Sequence, residues 1–352
     1  MRGRLQAWGF KASHAGRVLR GYYASGGDLP TALGQVGLPV GLASRMTSEL
    51  APSPATVVAR QEAPDGTCKL LLRLGDGRTV ESVLMPDYRE DRAAGCVSSQ
   101  VGCAMGCDFC ATAQTGFERD LTVGEIMAQF VALRREARRG GRALRTVVFM
   151  GMGEPLLNLN SVLEAVRRMA DHDLGALGWR QITVSTVGIV PGIEALTEAG
   201  ENFQLAVSLH APDDATRERL LPMGRRHRLQ EILEAAGRFQ ARRGRTVILQ
   251  YCLLAGLNDS PAQAEQLGAL LEGRRMHVNL LRYHPTGTSL RGLTYRPSSD
   301  DVSERFATLL GRRGVIAHFR RSRGTEIDAA CGQLRRRDQE DREPAATAAT
   351  QI

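Results

Sequence analysis

The chain is short of aromatic residues. Phe, Tyr and Trp number 9, 6 and 2 among 352 residues, so the core must be assembled from Leu, Val, Ile and Ala. At 43% hydrophobic residues there are enough of these for one large domain and a small one. Long apolar runs are missing: none approaches the roughly 18 residues of a membrane helix. The opening Met1-Arg-Gly-Arg-Leu-Gln has no apolar signal core, so no membrane span and no export are expected, and a cytoplasmic location is. The seven cysteines are odd in number and bunch between 96 and 110, against a secreted disulfide framework and in favour of a reducing compartment. A second C-x2-C pair, usual in a structural zinc site, is absent. Charge is nearly balanced, 46 Lys and Arg against 38 Asp and Glu, and the difference of +8 favours a polyanionic partner only weakly.

What is present is the stretch Cys96-Val-Ser-Ser-Gln-Val-Gly-Cys103-Ala-Met-Gly-Cys107-Asp-Phe-Cys110. Three cysteines spaced C-x3-C-x2-C suit a four-iron cubane cluster, because three thiolates leave one iron with an open coordination site. S-adenosylmethionine (SAM) can chelate there through its amino and carboxylate groups. The spacing resembles, without a gap, the hallmark of the radical SAM superfamily. The competing reading is a structural zinc ion that borrows a fourth ligand such as Cys96.

Along the chain, residues 1–52 read as a small helical unit, with helices expected over 11–23 and 42–50. A linker and β-hairpin follow over 53–90, the strand-like runs 67–74 and 78–85 being joined by Gly75-Asp76-Gly77. In the second run Glu81, Val83 and Met85 share a face, so Glu81 is either a carboxylate raised in basicity by apolar neighbours or part of the open face of an edge hairpin. From 91 to 334 strands alternate with helices. An early run at 97–101 is followed by runs at 146–150, 182–185, 204–208, 246–253, 277–281 and 315–319. Thr122-Val-Gly-Glu125 reads as a capping box that opens one of the helices between them. The alternation implies a mostly parallel sheet, a partial (β/α)6 TIM-like barrel. Residues 335–352, charged and then small, read as a disordered tail.

In such a barrel ligands gather where strands end. There stand Cys103, Cys107 and Cys110; Met150-Gly-Met-Gly153-Glu154-Pro155; Ser185; and Ser208-Leu209-His210. A Ser or His at one strand end is more often a cap, but recurrence at consecutive ends points to a ring of ligand contacts. His284, before Pro285, either donates to a ligand or caps a loop. Cys331, in Asp328-Ala-Ala-Cys331-Gly-Gln-Leu334, is an accessible thiol or a buried small hydrophobe, and Cys68 and Cys252 take the latter reading.

These stretches together resemble the RlmN/Cfr family of radical SAM RNA methyltransferases. The similarity runs through Cys96 to Cys103, Cys107 to Cys110, Gly151-Met-Gly-Glu-Pro-Leu-Leu-Asn158, Ser208-Leu-His-Ala-Pro212 and Asp328 to Leu334, and more weakly through the N-terminal unit and hairpin. The resemblance implies the following chemistry. Adenine C2 and C8 are not nucleophilic, so a radical route is needed. One SAM methylates Cys331. A second is cleaved reductively at a [4Fe-4S] cluster on Cys103, Cys107 and Cys110, and the resulting radical takes hydrogen from the Cys331 methyl. The methylene radical adds to the adenine, Glu81 removes the ring proton, and Cys96 resolves the adduct through a transient disulfide with Cys331. Gly153, Glu154, Ser185, Ser208, Leu209 and His210 hold SAM. His284 stands where relatives carry Asn, and an imidazole lacks the amide's paired donor and acceptor.

The implied substrate is an adenosine of rRNA, with tRNA as a second. The implied partners are a reducing electron donor such as flavodoxin and no membrane, with a monomer as the working unit. Gly-Met-Gly-Glu-Pro155 favours C2; Ser185-Thr-Val-Gly-Ile-Val-Pro191 and His277-Val-Asn-Leu-Leu-Arg-Tyr283 lean towards a Cfr-type C8 enzyme. Arg320, Arg321, Arg323 and the run 134–145 are candidate phosphate contacts. A non-catalytic zinc-stabilised RNA-binding protein and a small-molecule radical SAM enzyme are the other classes weighed.

Overall fold

The computed structural model describes residues 1–34, 37–50, 53–320 and 333–335. Its spine is one ten-stranded sheet. In chain order the strands are β1 (Ala55–Glu62), β2 (Cys68–Leu74), β3 (Thr79–Pro86), β4 (Arg92–Cys96), β5 (Gln100–Gly102), β6 (Phe117–Asp120), β7 (Ala143–Phe149), β8 (Ile182–Thr186), β9 (Gln204–Ser208), β10 (Val247–Leu253), β11 (Met276–Arg282) and β12 (Ala317–Arg320). The sheet order is β1-β2-β3-β4-β7-β8-β9-β10-β11-β12, while β5 and β6 form a separate pair. From β1 to β4 the pairing is antiparallel, and from β4 to β12 it is parallel. Helices on the outer face connect the parallel strands, giving the open βα barrel that the alternation predicted.

The two-residue period of each strand sorts its side chains. Val184 of β8, Val207 of β9, Leu249 and Tyr251 of β10, and Val278 and Leu280 of β11 enter the main core under the helices. Their neighbours Ser185, Ser208, Gln250 and Cys252 line a cavity on the other side. Helix Val123–Arg139 begins with the predicted capping box: Glu125 N–H donates to Thr122 Oγ1 at 3.2 Å and Thr122 N–H to Glu125 Oε2 at 2.8 Å.

Two expectations change. The run 97–101 is not the first parallel strand; that strand is Arg92–Cys96. Beyond Val97, whose N–H still meets Val148 O of β7, the backbone turns to clasp the loop after that strand, with Ser99 N–H on Met152 O, and so leaves the ladder. The hairpin is not at the sheet edge, because β1, read from sequence as linker, pairs outside β2. Its mostly exposed pattern and two exposed valines hid it from a search for apolar alternation. Arginines 134, 135 and 138 spend some of their donors inside the fold. They donate to the carbonyls of Tyr23, Gly26 and Ala24, at and just past the C-terminal end of helix His14–Ala24. That helix belongs to a small separate core of Leu5, Ala15, Val18, Leu33, Leu42 and Met46.

At the chain's far end Arg335, read from sequence as the start of the tail, is 1% exposed. Its guanidinium donates to Thr115 Oγ1 at 3.2 Å and to Glu118. Residues 336–352, and Arg321 and Arg323, lie outside the described residues. Among the described residues no helix is long and apolar enough to cross a membrane.

Candidate radical SAM site

A cavity of about 320 Å³ opens at the C-terminal ends of the parallel strands. Cys103, Cys107 and Cys110 form one wall, Gly153 and Glu154 another, and Ser185, Ser208, His210 and His284 stand around it.

The glycine loop is built by the residues between Cys96 and Cys103. Ser98 Oγ donates to Glu81 O at 2.7 Å and accepts the Met152 N–H at 2.9 Å. The buried Gln129 grips Ser98 through its backbone N–H and C=O. Gln100 accepts the Glu154 N–H at 2.8 Å, and Asn158 donates to Ser99 O and Leu121 O, both at 2.8 Å. The strands come so close that a Cβ on Gly151 would stand 2.7 Å from Ser98 Oγ. One on Gly153, at φ +97°, would stand 2.5 Å from Gln100 Cβ. Only glycine fits either place. The Ser-Ser-Gln and Gly-Met-Gly-Glu motifs are thus two halves of one clasp.

Glu154 is 2% exposed. Its Oε2 accepts the Val187 N–H at 2.8 Å and its Oε1 the Leu156 N–H at 3.0 Å. Burial nevertheless pushes its carboxyl from 4.5 up to about 7, against the pull of those hydrogen bonds. The Val187 carbonyl in turn accepts from Arg217, a guanidinium 1% exposed.

This shift has a measurable consequence. Between pH 4.5 and 7 the folded protein keeps a proton that the unfolded chain has released. Stability from Glu154 is therefore fully present below about pH 4.5 and lost as pH rises through 7, by up to about 3 kcal/mol. Glu154→Gln is expected to flatten that slope in urea melts of ligand-free protein taken from pH 5 to 8. An unchanged slope would refute the assignment.

His210 has φ +57°, a left-handed conformation in which His is among the enriched residue types. Its Nδ1 accepts the Cys252 N–H at 2.9 Å, so the ring proton sits on Nε2, a donor. Burial lowers its pKa to about 3, so it stays neutral. Phe109 of the cysteine loop packs edge-on against it at 5.0 Å. His284 is likewise shifted down by burial, by Arg282 and by Lys69. Leu209 differs from its neighbours: its side chain is in the main core and its N–H donates to Gln250 O at 2.9 Å. Only its carbonyl remains for a ligand.

The thiols are strongly perturbed. Burial pushes Cys103 up to about 12 and Cys107 well above the usual thiol value, and the neighbouring sulphurs and Glu154 add to both. Three thiolates could hold a cubane cluster, each meeting a different iron.

Glu81 and Cys96 lie outside the cavity lining, on one face of the β2–β3–β4 ladder. Cys96 is opposite Val83, two residues from Glu81. Cys331 lies outside the described residues, but two residues that follow it are anchored nearby. Gln333 Nε2 donates to Pro285 O at 2.9 Å, and Arg335 N–H to Glu81 Oε1 at 2.7 Å. Sequence reasoning missed Arg217, which carries no motif. It also missed Lys69, one of two cations in the otherwise apolar run Cys68–Leu74 and the buried one of the two.

Comparison with known proteins accords with this geometry. Residues 97–266 match the radical SAM superfamily. The chain is 66% identical over 331 residues to a probable dual-specificity RNA methyltransferase RlmN 1 of Opitutus terrae, covering 94% of this chain and 93% of that protein. It is 44% identical to a probable dual-specificity RNA methyltransferase RlmN of Rhodopirellula baltica, over 85% and 79%. The crystal structure of a radical SAM methyltransferase from Sphaerobacter thermophilus superposes with a TM-score of 0.85 at 40% identity, covering 94% of this chain and 95% of that one. The fold and the site therefore define a radical SAM enzyme. Within that class the chain belongs to the RlmN/Cfr family of RNA methyltransferases.

Proposed function

We propose that the chain methylates an adenine carbon, C2 in preference to C8, in rRNA and also in tRNA, by way of S-methylated Cys331 and with two SAM molecules consumed. The observation that carries this reading is the cavity at the strand ends, where the three-cysteine loop faces the Gly-Met-Gly-Glu loop. The anchoring of the segment just past Cys331 to Glu81 and Pro285 supports it. The relatives named as dual-specificity RNA methyltransferases support a second RNA substrate.

Cys103, Cys107 and Cys110 would hold the [4Fe-4S] cluster, which when bound supplies the electron that cleaves SAM to a 5′-deoxyadenosyl radical. The chain's own residues do the rest. Glu154, with both oxygens steadied by backbone N–H groups, accepts from the SAM ammonium. Ser185, Ser208 and the Nε2–H of His210 orient the ligand, with the Leu209 carbonyl and His284 beside them. Cys331 carries the methyl carbon to the adenine, Glu81 takes the ring proton, and Cys96 attacks the Cys331 sulphur to release the product. The base must leave its stack to reach this pocket.

Gly151-Met-Gly-Glu-Pro155 supports C2. The stretches Ser185 to Pro191 and His277 to Tyr283 favour the second reading, C8. Mass spectrometry of nucleosides from rRNA and tRNA of cells with and without the gene decides. Loss of 2-methyladenosine is the expected result; loss of 8-methyladenosine instead would overturn the C2 reading, and no change in either would overturn the function.

A further inference from the structure

Lys69 and Glu81 form a buried ion pair. Lys69 Nζ stands 3.2 Å from Glu81 Oε2, and the two side chains are 1% and 2% exposed. They are placed by the hairpin: Lys69 lies opposite Val83 in the β2–β3 ladder, and Val83 and Glu81 share a face of β3. Glu81 Oε1 accepts the Arg335 N–H, and its backbone carbonyl accepts from Ser98, which also holds the glycine loop. Lys69 is also close enough to the cavity for its charge to act on His284 in the cavity wall. A buried ion pair is seldom worth more to stability than apolar side chains of the same volume. Its place between the cavity and the segment past Cys331 calls for a chemical reason.

We propose that Lys69 is a positioning residue for proton removal. Its ammonium fixes the orientation of the Glu81 carboxylate until the RNA adduct forms. The inference rests on the reading of Glu81 as the proton acceptor. In that step the ring C–H bond breaks, its electron pair stays with the ring, and the proton passes to a Glu81 oxygen. The pair goes from carboxylate and ammonium to carboxylic acid and ammonium. Without Lys69 the carboxylate loses the buried partner at 3.2 Å that fixes its direction, and a general base that is not held in line with the proton removes it more slowly.

The test uses cluster-loaded full-length protein and an RNA substrate under anaerobic single turnover. It reads 5′-deoxyadenosine, covalent protein–RNA adduct on a denaturing gel, and released methyladenosine. Lys69→Met is expected to form 5′-deoxyadenosine and adduct as the native protein does, and to release product at least about tenfold more slowly. Glu81→Gln should trap adduct in the same way, and Lys69→Arg, which restores the charge, should recover part of the release.

If Glu81→Gln traps adduct while folded Lys69→Met releases product at the native rate, the Lys69 inference is wrong and the Glu81 reading stands. If Glu81→Gln releases product normally, the Glu81 reading itself fails. Should Lys69→Met not fold, the charge-balanced double variant Lys69→Met/Glu81→Gln decides. Release no slower than in Glu81→Gln alone supports action through the carboxylate, whereas a further loss overturns it.

Discussion

Replacing Cys331 with alanine is expected to lower RNA methylation below detection while the cluster's visible absorbance and SAM cleavage persist. An adenine ring carbon has no lone pair to attack a methyl sulphonium, so the methyl must be handed over by a group that can carry it as a radical. In the proposed reaction that group is the Cys331 thiol. Cys331 lies 221 positions beyond Cys110 (331 − 110) and belongs to neither the C-x3-C-x2-C run nor the glycine loop, so its loss should leave cluster and SAM binding intact. The comparison is between 5′-deoxyadenosine and methyladenosine formed by variant and native protein. Surviving methylation would remove Cys331 from the mechanism, and loss of the cluster would mean that the variant reports on folding instead.

Cys107→Ala should have an effect as large, by a different route. Native protein prepared anaerobically is expected to be brown, to hold about four irons with matching sulphide, and to bleach with dithionite. The variant should be colourless, hold little iron and form no 5′-deoxyadenosine. The reason is the burial of the thiols. Cys107 is packed with Met105, Leu220 and Leu221, and its thiol is pushed well above the usual value. A buried thiol becomes a thiolate only against a compensating cation, and two remaining cysteines give a cluster too few protein ligands. Native protein with one zinc per chain and no iron would instead favour the zinc-stabilised RNA-binding protein.

The site was largely legible because its chemistry is local in sequence. Spacing alone brought out Cys103, Cys107 and Cys110, and strand-end position brought out Glu154, Ser185, Ser208 and His210, all of which line the one cavity. Leu209 shows the limit of that reasoning. It sits between two cavity residues, but the turn sends its side chain into the core. The arginines from 134 onward show another. A basic helix face reads alike whether it meets phosphates or the carbonyl end of a neighbouring helix, and here Arg134, Arg135 and Arg138 meet carbonyls.

By itself the sequence determined the βα alternation, the capping box at Thr122, the cysteine loop and the family. The capping box and the cysteine loop are each written in residues a few positions apart, where spacing alone sets geometry, and the alternation and the family are sums of such local signals along the chain. Only the tertiary structure decided that Ser98 and Gln100 clasp the glycine loop, that β1 covers the hairpin's outer edge, and that Lys69 faces Glu81. It also decided that the segment beyond Cys331 returns to that same carboxylate. Those contacts join residues up to 254 positions apart. They depend on strand register and on which polar groups lose water together, and neither quantity is carried by any short stretch of the chain.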